Sequence, residues 1–335
     1  MQVIGIEALA HSLPTTVVTN ADLAAENPAW RMDQVAAKSG VKSRHIAALG
    51  ETTLDLAFLA CQEVLQKVPK EEIDGIVFCT QTPDFVMPSN AFLLQEKLGL
   101  GDRILAFDIN LACSGFVYGL AICRGLILGG QGERLLLVNG DTYSRLINPG
   151  DRSARVLFGD GAAATLVSAR TDRLKLMDFE LWSSGRNWRK FCVPAGGCRE
   201  PKDANSARVE VDDSGNLRSR EDIHMDGLGV WSFISTIMPK QIEAILSRNS
   251  LKISDIDLFV FHQASELTLD SLERNLRIPR GKSFRYLETV GNTVSASIPI
   301  ALGMAEKEGR LVPGMLVLIA GFGVGLSAGT ALIEV

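Results

Sequence analysis

Residues 254–265, SDIDLFVFHQAS, restate the pattern of residues 71–82, EEIDGIVFCTQT: an acidic-Ile-Asp lead, an apolar strand and a polar tip. The restatement continues downstream. Residues 284–300, FRYLETVGNTVSASIPI, keep the strand-then-helix layout of residues 107–120, FDINLACSGFVYGL, with Asn292 standing where Cys113 stands in the first copy. Residues 315–335 then repeat the pair of buried strands expected at 134–139 and 156–167. Asp74 precedes Cys113 by 39 positions and Asp257 precedes Asn292 by 35, so the spacing is kept to within a few residues. A repeat of this kind obliges both units to bury the same faces, which predicts a duplicated α/β fold with halves 1–171 and 172–335. Residues 199–222, polar and rich in Asp, Arg, Ser and Asn, read as a surface insertion between them.

Within the first copy, Cys113 falls where an apolar extended run gives way to a helix too apolar for a surface position. Unpaired N–H groups and the dipole at a helix start favour an anion, so a cysteine there is expected to have a lowered thiol pKa and to attack an acyl group. The competing reading is a small buried hydrophobe, the usual fate of a free cysteine. The stretch alone leaves the two even.

Bulk properties narrow the function classes. With 39 acidic against 34 basic residues and a net charge of -5, the chain offers no bulk attraction for nucleic acid. Its six cysteines lie mostly in apolar runs, and MQVIGIEALA lacks the marks of a secretory signal, so a reduced, cytoplasmic protein is expected. Cys192 and Cys198 have no neighbours at zinc-ligand spacing, and no metal is expected. The most apolar window, residues 111–130, contains Arg124 and several glycines and reads as a core helix, not a membrane span.

A duplicated α/β fold brings the equivalent tips of its halves together. Cys113 from one half would then meet His262 and Asn292 from the other, at positions taken to answer Gln81 and Cys113. A lone histidine after an apolar strand is more often a core histidine; His11 and His45 are read that way. The set nevertheless suits one chemistry. A cysteine takes an acyl group from a thioester, with the Cys113 N–H and one from the loop at 321–325 (GFGVG) holding the oxyanion. A neutral His and an Asn amide then donate two hydrogen bonds to a second thioester carbonyl, stabilising the enolate left when a malonyl group loses carbon dioxide.

These residues carry a resemblance. Cys113 in DINLACSGF, His262 in FHQAS, Asn292 in GNTVSASIP, and the flanking FGDGAAA and GFGVGLSAG make the chain similar, along essentially its whole length, to β-ketoacyl-ACP synthase III and its relatives in the thiolase superfamily. The resemblance implies a five-layered α/β/α/β/α thiolase-like fold, a homodimer, and a ping-pong Claisen condensation needing no cofactor. Cys113 would be acylated by an acyl-CoA primer, and His262 with Asn292 would drive decarboxylative attack by a malonyl thioester, malonyl-ACP or malonyl-CoA, the former delivered by acyl carrier protein. The resemblance also makes the Val324 N–H the second oxyanion donor, places Met87 across the dimer in the partner's acyl pocket, and sets Arg152 at the CoA end of the tunnel. A solvated surface charge is the equal alternative for Arg152.

The departures concern recognition. Where the family often has Trp and Arg beside the nucleotide entrance this chain has Gln34 and Lys38, a weaker stack and a less rigid charge. The common HQANLR becomes HQASEL, with Ser265 in place of an amide, and GLTWG becomes GLSAG. These changes are compatible with a specialised primer or carrier. Three other readings compete: an acyltransferase of the same fold passing the group from Cys113 to an alcohol or amine, a non-catalytic carrier-binding subunit of a synthase complex, and, more weakly, a cysteine hydrolase.

Overall fold

In the computed structural model, which describes residues 2–279 and 281–335, nine main strands form one sheet among the described residues. They are β1 (Gly5–Ser12), β2 (Gly75–Cys79), β3 (Leu105–Ile109), β4 (Arg134–Asp141), β5 (Gly161–Ser168), β6 (Lys175–Ser183), β7 (Leu258–Phe261), β8 (Leu316–Gly323) and β9 (Ser327–Glu334). The helices that matter here are α1 (Asn20–Glu26), α2 (Met32–Ser39), α3 (Thr53–Leu65), α4 (Asn90–Leu98), α5 (Gly115–Leu128), α6 (Gly227–Arg248), α7 (Glu266–Leu276) and α8 (Ser297–Lys307).

The sheet is two runs joined at a narrow seam. The first is ordered β1-β5-β4-β2-β3, its first two pairings antiparallel and its last two parallel. The second, β6-β9-β8-β7, repeats antiparallel, antiparallel, parallel. A single parallel bridge from Phe259 to Ser283 occupies the place of its fifth strand. Only Gly5 opposite Lys175 pairs β1 with β6. The copies agree in detail. Asp74 N–H donates to Arg134 O and Asp257 N–H to Leu316 O, each at 2.9 Å, while each carboxylate accepts from the same partner's N–H, also at 2.9 Å.

Strand alternation makes the layers, because successive side chains point to opposite faces. Leu135 and Leu137 of β4, and Val317 and Ile319 of β8, turn to one central core shared with Phe116 and Leu120 of α5 and Ile298 and Leu302 of α8. Leu136 and Val138 turn the other way, to Leu56 and Val64 of α3 and Leu94 of α4. Leu318 and Ala320 turn to Ile242 and Ile245 of α6 and Leu269 of α7. The order is therefore α3/α4, sheet, α5/α8, sheet, α6/α7, the five layers of a thiolase-like fold. The apolar window at 111–130 is α5, a 14-residue helix between the sheets. No described helix is long and apolar enough to cross a membrane.

Three local expectations need correction. The conserved register from Asp74 and Asp257 makes Cys79, not Gln81, the counterpart of His262, since each lies five residues beyond its aspartate. Residues 156–160 are not the start of a strand. Buried Asp160 accepts N–H bonds from Ala47 and Ser144 and holds that segment as a turn, so β5 begins at Gly161. No strand forms at 284–290, because the Gln263 side chain takes the Tyr286 N–H at 2.7 Å and donates back to Phe261 O at 2.6 Å, replacing ladder bonds with side-chain ones. The 199–222 insertion is mostly exposed. It is anchored where Arg218 bonds to Asp151, which is 2% exposed.

Candidate active site

Cys113 sits in the turn between β3 and α5 and is 3% exposed. Its back is covered by the β8–β9 hairpin. A Cβ at Gly321 would lie 2.4 Å from Cys113 O, and one at Gly323 2.9 Å from Cys113 Sγ, so both positions require the absence of a side chain. A hydroxyl relay ties the same two segments. Ser327 donates to Val324 O at 2.7 Å, which leaves Ser114 to donate to Ser327 Oγ, also at 2.7 Å. The serine of GLSAG thus does its holding without the bulk found in GLTWG. Among the described residues, neither the Cys113 N–H nor the Val324 N–H has an acceptor within the chain.

The second half supplies two polar groups already oriented. Asn292 is 5% exposed, and its backbone is clamped to Leu157 O and Gly159 N. Its side-chain Oδ1 accepts from Val294 N–H at 2.9 Å, leaving the amide N–H groups to donate elsewhere. The turn that makes this bond holds Val294 at φ 54°, a left-handed conformation costly for a β-branched residue. His262 is 2% exposed, with Nδ1 2.6 Å from Ser297 Oγ and its ring edge-on to Phe322. Burial lowers its pKa from 6.5 to about 3, so the imidazole is neutral at physiological pH.

Electrostatics reverse one expectation. Burial, and after it the charge of Asp141, push the Cys113 thiol up instead of down. A helix start contributes roughly 0.3–1 kcal/mol toward an anion, whereas desolvation shifts buried groups by several pK units. Burial wins, and Cys113 rests as a thiol. Asp141 is fully buried, accepts from Gln81 N–H, Thr80 Oγ and Ser295, and its own pKa is raised to about 7 by the same desolvation.

Cys113, His262 and Asn292 line one cavity of about 210 Å³. Leu157, Ser265 and Leu267 line both this cavity and an outer groove of about 420 Å³, which also contains Gln34, Lys38 and Arg152 together with Arg31. The groove therefore carries three cationic side chains at its mouth. Ser265 has a local task as well, capping α7 by accepting from Thr268 N–H. Met87 is 80% exposed and borders neither space. Ser297 and Asp141 escaped sequence reasoning. Ser297 lies five residues after Asn292 in the quoted SAS, and Asp141 ends a strand that otherwise reads as pure core. Among the described residues no cluster of three or more His, Cys, Asp or Glu side chains is arranged to hold a metal ion.

Comparison with known proteins agrees along the chain. Residues 107–185 match the family described as 3-oxoacyl-[acyl-carrier-protein (ACP)] synthase III, and residues 246–335 match its C-terminal model. The chain is 36% identical over 331 residues to β-ketoacyl-[acyl-carrier-protein] synthase III 3 of Streptomyces coelicolor, covering 97% of this chain and 95% of that one. It is 32% identical over 338 residues to the β-ketoacyl-[acyl-carrier-protein] synthase III of Fusobacterium nucleatum, covering 100% and 99%. A crystal structure of a 3-oxoacyl-(acyl-carrier-protein) synthase III superposes with a TM-score of 0.96 at 39% identity, covering 99% of this chain and all of that one. With the fold, both family models and full-length relatives in agreement, the chain belongs to the β-ketoacyl-ACP synthase III family of acyl-transferring condensing enzymes.

Proposed function

We propose that Cys113 accepts the acyl group of an acyl-CoA primer and that His262 and Asn292 then activate malonyl-ACP for decarboxylative condensation. The observation that carries this reading is the convergence of Cys113, His262 and Asn292 on one buried cavity beneath a cationic groove. In the first half-reaction Cys113 Sγ attacks the thioester carbonyl, its proton is released, and CoA leaves as a thiolate that takes up a proton. The Cys113 and Val324 N–H groups hold the oxyanion meanwhile. Arg31, Lys38 and Arg152 suit the phosphates of CoA, and Gln34 and Ser265 line the way in.

In the second half-reaction the malonyl carboxylate departs as carbon dioxide. Its electron pair becomes an enolate whose oxygen receives hydrogen bonds from Asn292 Nδ2 and His262 Nε2. The assignment to Nε2 rests on Ser297 donating to Nδ1, which its contact with Gln263 N–H, 3.4 Å from the same oxygen, favours. The enolate carbon then attacks the acyl-enzyme carbonyl, a C–C bond forms, the C–S bond to Cys113 breaks, and the thiolate regains a proton.

The assembly belongs to the same reading. We propose halves 1–171 and 172–335, and a homodimer formed along β3, the edge strand of the first run. Phe85, Val86, Met87 and Phe92 are exposed apolar side chains on that side, with Met87 reaching toward the other copy's acyl cavity. Intact-protein mass spectrometry with acyl-CoAs tests the chemistry. The expected result is an adduct that requires Cys113 and disappears with malonyl-ACP as carbon dioxide and a β-ketoacyl product form. Discharge to an alcohol or amine instead would make the protein an acyltransferase, and absence of any adduct would overturn the reading.

A further inference from the structure

Beside the Cys113 cavity lies a second one of about 340 Å³, sharing Phe191 with it and bordered by Val324 and Gly325 of the hairpin that backs the nucleophile. Tyr143 and Phe191 of its wall pack in one cluster with Cys113 and with Phe158 of the Cys113 cavity, so the two spaces meet at the sulfur's surroundings. Leu146, Trp188, Val193 and Ile223 give it an apolar body. Its remaining wall is different. Tyr143, 2% exposed, donates its phenol proton to Gln81 Oε1 at 2.5 Å, and Gln81 Nε2 donates to Asn110 Oδ1 at 2.9 Å. The Gln81 backbone N–H is pinned in turn to buried Asp141 at 2.8 Å, so the glutamine is held at both ends.

The hydrogen-bond inventory of this triad is unbalanced. Both of its carbonyl oxygens and the phenol proton are used within it, while the second Nε2 proton of Gln81 and the amide protons of Asn110 have no acceptor among the described residues. Unused capacity is thus mainly donor capacity. A plain hydrocarbon tail entering this space would strip water from those N–H groups and return nothing, a penalty of about 1–3 kcal/mol for each group left unpaired. A tail bearing an oxygen acceptor would satisfy them.

We propose that the primer is an acyl chain with an apolar body and a hydroxyl or carbonyl oxygen beyond the thioester, recognised by the amide N–H groups of Gln81 and Asn110 while Tyr143 holds the Gln81 carbonyl. This rests on the acyl-enzyme reading above and names its substrate class. The triad selects by leaving donors unpaired with the wrong tail, the mode in which binding sites discriminate most strongly. The oxygen takes part in no bond making or breaking.

The test is the rate of Cys113 acylation, read by intact mass, for paired CoA thioesters: butyryl with 4-hydroxybutyryl, hexanoyl with 6-hydroxyhexanoyl, and octanoyl with 8-hydroxyoctanoyl. The expected result is a preference of at least about tenfold for the oxygenated member of one or more pairs, the factor of one unpaired donor. Gln81→Leu and the exposed-site variant Asn110→Leu should each erase or invert that preference, the plain tail gaining as the oxygenated one loses; a merely structural role would slow both alike. Asn110→Leu keeps the test intact should Gln81→Leu fail to fold. Equal or faster acylation by every plain tail, or a preference untouched by both variants, overturns the primer assignment alone. No adduct with any thioester overturns the acyl-enzyme reading, and this inference with it.

Discussion

The two halves place different side chains on the same backbone position, and the difference shows how a duplicated scaffold becomes asymmetric. Cys79 ends β2 and His262 directly follows β7, each five residues beyond an aspartate that closes the strand's start. Cys79 is walled in. Its thiol donates to Leu111 O, a Cβ on Gly115 would lie 2.2 Å from its sulfur, and burial keeps it protonated. His262 borders open space in the Cys113 cavity and keeps one ring nitrogen in contact with Ser297. Packing, more than residue type, separates an inert site from an available one.

The largest test of this contrast sets the two buried thiols against each other. Cys113→Ala should abolish the acyl-enzyme adduct, whereas Cys79→Ala should retain it and lose about 1 kcal/mol or more of stability to the cavity left behind, read by intact mass and denaturant unfolding. Next comes the amide. Asn292→Ala should leave acylation of Cys113 in place but lower condensation roughly 10²–10³-fold, the scale of one lost oxyanion donor, measured as carbon dioxide release from preformed acyl-enzyme. Equal loss of both half-reactions would show that Asn292 shapes the nucleophile's surroundings instead.

A smaller effect is expected from Gly323→Ala. The added methyl must displace either Cys113 Sγ or the hairpin, so acylation should slow by about tenfold or more, in keeping with the cost of small misplacements at a reacting atom, while Gly101→Ala, in open space and without a left-handed backbone, should leave acylation unchanged.

The finest test uses pH. His262 has a folded pKa near 3 against 6.5 for the ordinary imidazole, so the unfolded chain binds more protons between those values and stability contributed by the neutral ring is lost as pH falls through that window. Cys79, raised above its ordinary value, contributes nothing of the kind below pH 8 and costs stability only where the unfolded thiol ionises. The melting temperature of His262→Asn relative to the parent should therefore rise as pH drops from 6.5 to 4, while that of Cys79→Ala stays parallel to the parent. A parallel His262→Asn profile would mean that the ring is solvated.

Much of the architecture was legible because it is written twice. The order of the strands and helices around the repeat and the meeting of Cys113, His262 and Asn292 on one cavity follow from repeat position and residue type, whereas β6 at Lys175–Ser183, whose sequence carries no match to the first copy, was not anticipated. Gln34, Lys38, Arg152 and Ser265 were nominated through family resemblance, and all four border one groove. What escaped depends on three-dimensional neighbours. The state of the Cys113 thiol is set by desolvation and by Asp141, 28 positions away, which no local helix argument could weigh. The missing strand at 284–290 follows from a glutamine side chain substituting for a ladder. The two-residue misalignment of His262 arose because a polar tip shows no register until its hydrogen bonds are drawn.

The hairpin that supplies Gly321, Gly323 and Val324 also fixes when the site can exist. A ribosome that has translated as far as residue 300 has already made Cys113, His262 and Asn292, yet Cys113 still lacks its backing strand, the Val324 N–H and the serine that anchors it. A chain that stops short of residues 316–334 carries the three side chains without the strands that enclose Cys113.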